Sequence, residues 1–183
     1  MGREVIVYGN ELYHHGVKGQ KWGIRRYQNE DGSLTVEGKK RLGYSDNPTT
    51  LVGTIKKNII DSRLIGTKYK GLHKLGVTRS FEQTAKTEEN WGKYYENKAK
   101  STKNKFLKNM HEASSFNSKQ FSKYYKQAMN YSTADKIFKA GTMIDSKYRN
   151  MKVKNLFIKD LNMTLGEQYL MSEAMSRTMN SRV

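Results

Sequence analysis

The chain has 183 residues, a formal charge of +17 and 36% apolar side chains with glycine left out, below the roughly 45–50% that soluble domains reach with glycine included. It has no cysteine, which excludes disulfides, thiolate nucleophiles and Cys-ligated zinc. No stretch approaches the ~18 consecutive apolar residues of a membrane-spanning helix, and the opening MGREVIVYGN lacks an apolar core of signal-peptide length.

Residues 3–8, REVIVY, form a β-branched run ended by Gly9-Asn10 and predict a short strand. Gly16, Gly19 and Gly23 then recur every three or four residues. In a helix each would cost ~1 kcal/mol, so this stretch reads as loop whose backbone comes close to something. Glu30-Asp31-Gly32 is a turn signal in which Gly32 can supply a positive φ. Thr35 is placed to cap a short helix from Val36 to Leu42, closed by Gly43 in the left-handed position. Pro48 sits in the linker SDNPTT, where the charge balance changes. Residues 1–50 carry eight basic and six acidic side chains, and residues 51–183 carry 26 and 11. The excess positive charge therefore belongs to the second part. This predicts a Gly-rich module over 1–48 and a basic helical domain over 49–183.

Leu51, Ile55, Ile59, Ile60 and Leu64 have the spacing of a first helix ending near Gly66, and the glycines 66, 71 and 76 mark a connector to residue 79. From Ser80 the positions Phe81, Ala85, Trp91, Tyr95, Ala99, Thr102, Phe106, Met110, Ala113 and Phe116 predict one long helix. It would have about thirty-five residues and reach roughly 50 Å. Phe121, Tyr124, Ala128 and Tyr131 either continue it or fold back after Ser114-Ser115. Aromatic and small residues make the stripe a bundle face and not a coiled-coil seam. In each Lys-Tyr-Tyr triplet, at 93–95 and 123–125, one tyrosine is expected to pack and one to be exposed. Ser132 and Asp135 form a capping-box start for a helix through Ile137, Phe138, Met143 and Ile144. Residues 153–161 fit either a strand or a helix, and Thr164 with Glu167 opens a last helix. The expected fold is mainly α: an elongated helical bundle with one long basic amphipathic helix. A small Gly-rich module with a short strand or hairpin precedes it.

No motif for catalysis stands out. His14 and His15 are adjacent and cannot readily face one metal ion together. HExxH, GxSxG and the GK[ST] ending of a phosphate-binding loop are all missing. No enzyme activity, metal or cofactor is expected. Lys18, Lys21, Arg25 and Arg26 interleave with Trp22 and Tyr27, so cations could hold phosphate while a ring stacks on a base. The alternative is that Trp22 and Tyr27 form a small core with the basic residues in water. Both readings stand. The candidate binding residues are His14, His15, Lys18, Lys21, Trp22, Arg25, Arg26 and Tyr27, with Gly16, Gly19, Gly23 and Gly32 as turn positions.

Residues His14 to Asn29 read HHGVKGQKWGIRRYQN, followed by Asp31-Gly-Ser-Leu-Thr35 and Gly38-Lys-Lys-Arg41. This stretch resembles a recurring phage and prophage sequence, approximately HHGVKGQKWGVRRYQNxDGSLTxxGKKRY. The chain departs from it at Ile24, where valine is usual, at Val36, where proline is common, and at Leu42-Gly43 before Tyr44. The resemblance spans some thirty residues. It implies a phage-encoded protein of the head and structural gene region, located in the virion or in the host cytoplasm during infection. The expected role is that of a non-enzymatic virion-associated or head-assembly protein. Its opening motif docks on a phage head or other structural protein, and its basic helices contact DNA or another polyanion, or self-associate as a homo-oligomer. The alternative is a small phage inhibitor of a host defence system that binds an acidic or nucleic-acid-binding surface. No membrane partner is expected.

Overall fold

The computed structural model describes residues 27–29, 31, 33–72, 75–139 and 143–180. The predicted strand at 3–8, the glycines 16, 19, 23 and 32, and His73 lie outside them. The chain divides into two compact units, one ending at Tyr44 and the other beginning at Ser45.

In the first unit, Gln28 and Leu34 form an isolated antiparallel bridge. Asp31 Oδ1 closes the turn between them, accepting from the Ser33 amide at 2.8 Å and the Ser33 hydroxyl at 2.6 Å. Helix α1, Val36–Leu42, follows. Thr35 Oγ1 caps it by accepting from the Gly38 amide at 3.1 Å, and Gly43 ends it at φ +57°. Both ends agree with the sequence reading. Leu34 and Gly38 are the buried residues. A Cβ at Gly38 would run into the Tyr27 carbonyl, so only glycine lets α1 lie this close to the preceding strand segment.

The second unit is mainly helical and contains a long helix, as the periodicity predicts. It runs through α2 (Leu51–Lys68), α3 (Gly76–Ser101), α4 (Lys105–Ala128), α5 (Thr133–Lys139) and α6 (Ser146–Arg149). Strands β1 (Lys152–Lys154) and β2 (Asn162–Thr164) and helix α7 (Leu165–Asn180) complete it. The long helix ends earlier than its stripe suggests. Thr102 Oγ1 donates to the Lys98 carbonyl at 2.6 Å, and Asn104 Oδ1 caps α4 by accepting from the Leu107 amide at 3.0 Å. These two caps turn the chain at 102–104, so the reversal comes before Ser114 and not after it. The predicted connector is also shorter. Gly66 stays helical, with the Arg79 side chain packed where its Cβ would be, and Gly71 makes the turn at φ +81°.

Helix α3 lies between α2 and α4. Its α4 side meets a core of Phe81, Tyr124 and Ala128, ringed by Val77, Tyr125, Met129, Tyr131, Tyr148 and Met151. Its α2 side is polar. Asn90 donates to Asn58 Oδ1 at 2.7 Å and Asp61 Oδ2 at 2.9 Å, and Asp61 pairs with Lys57 at 3.1 Å, all near or below the surface. Burial pushes the Lys57 ammonium down, against the pull of Asp61. The apolar face predicted for α2 packs only in part, through Ile60 and half-buried Leu64. Thr54, Lys57, Ile60 and Asp61 are buried, while Leu51, Ile55 and Ile59 remain exposed. Helix α5 behaves alike: Ile137 and Phe138 are exposed, and Lys136 is buried with its ammonium donating to Thr78 Oγ1 at 3.0 Å. Its described span is Thr133–Lys139, and Met143 and Ile144 fall in a turn before Asp145, which is extended and caps α6.

The ambiguous stretch resolves into an antiparallel hairpin in which Val153 faces Met163 and both are buried. Asn117 of α4 clamps β1 from the side, donating to the Lys154 carbonyl at 2.8 Å and accepting from its amide at 2.7 Å. The capping box at Thr164 and Glu167 opens α7 with reciprocal bonds of 2.6 and 3.2 Å. The Ser132–Asp135 pair likewise opens α5.

Candidate nucleic-acid interface

The α3–α4 pair follows a seven-residue rule. On α3 the small residues Ala85, Gly92 and Ala99 recur at that spacing and are all buried. On α4 the answering residues are Ser122 and Ser115, also buried. Ser122 Oγ donates to the Ala85 carbonyl and Ser115 Oγ to the Gly92 carbonyl, both at 2.8 Å. An ion-pair row runs beside the seam in the same register: Lys126 to Glu89 at 2.9 Å and Lys119 to Glu96 at 2.7 Å. Small residues let the two backbones approach, and each hydroxyl bond contributes about 1 kcal/mol.

The rule breaks at its third step. The register that sets Ser122 against Ala85 and Ser115 against Gly92 places Lys108 against Ala99. Lysine is too long and too polar for the seam, and Lys108 is exposed. Here a cavity of about 510 Å³ opens, lined by Ala99, Lys100, Lys108, Phe116, Lys119 and Lys154, with Glu96 and Glu112. Three elements bring the four lysines together: Lys100 comes from α3, Lys108 and Lys119 from α4, and Lys154 from β1, held in place by the Asn117 clamp. Lys154 Nζ lies 4.9 Å above the Phe116 ring, a cation–π contact.

Three of the four lining lysines come from two basic runs of the sequence. Between Glu96 and Glu112 the chain carries Lys98, Lys100, Lys103, Lys105 and Lys108 and no acidic residue. Lys147, Arg149, Lys152, Lys154 and Lys159 form a second acid-free run between Asp145 and Asp160. Of the two carboxylates at the cavity, Glu96 is already bridged. Hydrogen bonds from Lys119 and Lys100 bring it down to about 2, so it stays ionised and holds those ammonium groups in position. For Glu89, burial pushes the carboxyl up, but bonds from Lys126 and Lys93 outweigh it and bring it down to about 2.

Of the sequence-predicted site residues, Tyr27 alone lies among the described residues. His14, His15, Lys18, Lys21, Trp22, Arg25 and Arg26 fall outside them, as do the four turn glycines. Tyr27 is half-buried, with the Arg41 guanidinium 4.6 Å above its ring and its carbonyl accepting from the Thr35 amide at 3.2 Å. The described part of the motif is thus spent on its own fold. Asp31 and Ser33 make the turn, Leu34 fills the interior, Thr35 caps, Gly38 permits close approach and Arg41 covers Tyr27. The lysine cavity was missed by the sequence reading. Its visible trace was the run of five lysines from 98 to 108 without an acid.

Burial raises the Glu88 carboxyl, with the Ser118 hydrogen bond opposing it. Burial and Tyr148 push the nearby Tyr125 phenol up to about 12. This is a packed network beneath the aromatic core, in which the protonated forms are favoured. Among the described residues no group of three or more His, Cys, Asp or Glu could hold a metal ion, and no helix is long and apolar enough to cross a membrane. No protein family, curated protein or solved structure matches the chain.

Proposed function

We propose that this chain is a non-enzymatic phage virion-associated or head-assembly protein. Its opening motif docks on another head protein, and its helical body contacts nucleic acid through the lysine-rich end of α3 and α4. The observation that carries the nucleic-acid part is the convergence of Lys100, Lys108, Lys119 and Lys154 on one cavity beside the acid-free 98–108 run. Clustered ammonium groups gain from phosphate by releasing its counterions. The motif supports the docking part: its described half is occupied with folding a small separate unit, a suitable carrier for a recognition surface.

Two measurements test this. Mass spectrometry of purified virions should find the protein in particles; absence from them would remove the virion role. DNA affinity measured against salt should fall linearly on logarithmic axes, with a slope of about −4 for some four or five phosphates neutralised. A flat line would mean that the lysines do not contact phosphate.

A further inference from the structure

We infer that the cavity between α3, α4 and β1 takes a nucleotide unit of an unpaired strand, with phosphate on the lysines and the base on Phe116. This rests on the proposal that the same face binds nucleic acid, and adds which form of it is preferred. Ammonium groups that only followed a duplex backbone would need an exposed surface, which Lys103 and Lys105 already offer. Here the lysines instead line an open groove of about 510 Å³ between α3, α4 and β1. In a duplex the bases are stacked inside and cannot enter such a groove; in a single strand they can.

Among the lysines the lining also holds Ala99 and the ring of Phe116. Phe116 is only half-buried, and Lys154 Nζ occupies the space over its face at 4.9 Å. A phosphate entering the cavity would draw that ammonium off the ring, and the ring face so uncovered is a stacking surface for the base. Charge and ring are exchanged together, so neither is left desolvated without a partner. Four lysines face two carboxylates, so although Glu96 engages Lys119 at 2.7 Å and Lys100 at 2.9 Å, the lining keeps an excess of positive charge.

The test uses the full chain with a fluorescently labelled oligo(dT) strand and a labelled duplex of equal length, titrated at one salt concentration. The expected result is binding of the unpaired strand roughly tenfold tighter than the duplex, the size of one base–aromatic stack. Phe116→Ala should remove that preference and leave duplex affinity unchanged, while Phe116→Trp should keep it. Phe116→Leu retains apolar volume without a ring face and replaces the alanine variant should that one lose helix content by circular dichroism. Equal affinity for strand and duplex, or a strand preference that survives in Phe116→Ala and Phe116→Leu, would overturn the inference while leaving phosphate binding intact. Failure of either nucleic acid to bind would overturn both the inference and the proposal beneath it.

Discussion

The two ends of the α3–α4 pair are built on one register and do opposite things. Toward Ala85 the helices are joined by small residues, by serine hydroxyls on carbonyls, and by the Glu89–Lys126 pair, and the groove of about 430 Å³ beside them is lined by Asp61, Glu82 and Glu89 as well as by Lys86 and Lys126. Toward Ala99 the same register meets Lys108, and the seam gives way to a lysine-lined cavity. A chain poor in apolar residues gains rigidity where backbone approaches backbone, and can then leave the far end unfilled. Under the proposed function, stability and binding fall to different heptads of one helix pair.

The largest expected effect is at the joined end. A Cβ at Gly92 would already sit 3.1 Å from Lys119 Cγ and 3.5 Å from the Ser115 carbonyl oxygen. Gly92→Leu should therefore force the helices apart and cost about 2–3 kcal/mol in urea denaturation. Gly92→Ala should be nearly neutral, because a gain of about 1 kcal/mol in helix propensity offsets the shift of a flexible lysine stem. Ser115→Ala removes the hydroxyl bond to the Gly92 carbonyl and should cost about 1 kcal/mol by the same measurement.

The converse substitution is at the open end. Lys108→Ser continues the rule one step, offering a hydroxyl to the Ala99 carbonyl, and should stabilise the fold by about 0.5–1 kcal/mol while weakening DNA binding. A loss of stability would mean that the register does not extend to this step. Acid provides the smallest effect. Glu89 and Glu96 both lie at about 2 against an ordinary 4.5. Depressed carboxyls give stability that is fully present above about pH 4.5 and is lost as pH falls toward 2. The urea midpoint should drop across that window, and Glu89→Gln should flatten the drop.

The helix ends were legible from the sequence because capping is local: Thr35, Gly43, Ser132 with Asp135, and Thr164 with Glu167 each act within a few residues. The turn after Ser101 was not, because aromatic and small residues continue at three- and four-residue steps across Thr102 and Asn104, hiding two caps inside an unbroken stripe. The face of α2 was misjudged in part, for a different reason. The packed side holds Thr54, Lys57 and Asp61, whose burial depends on partners on α3, Asn90 among them, that are distant in sequence. The cavity shares that difficulty. Ala85, Gly92 and Ala99 acquire meaning only when the turn sets them against Ser122, Ser115 and Lys108, and Lys154 reaches Phe116 only through the Asn117 clamp.

Lysine acetylation mapped by mass spectrometry, with and without bound single-stranded DNA, shows whether polyanion binding is confined to the open end. Protection is expected at Lys98, Lys100, Lys103, Lys105, Lys108 and Lys154, with Lys56 and Lys70 of the α2 region still reactive. Protection spread evenly over all of these lysines, or centred on Lys56 and Lys70, would contradict confinement to that end.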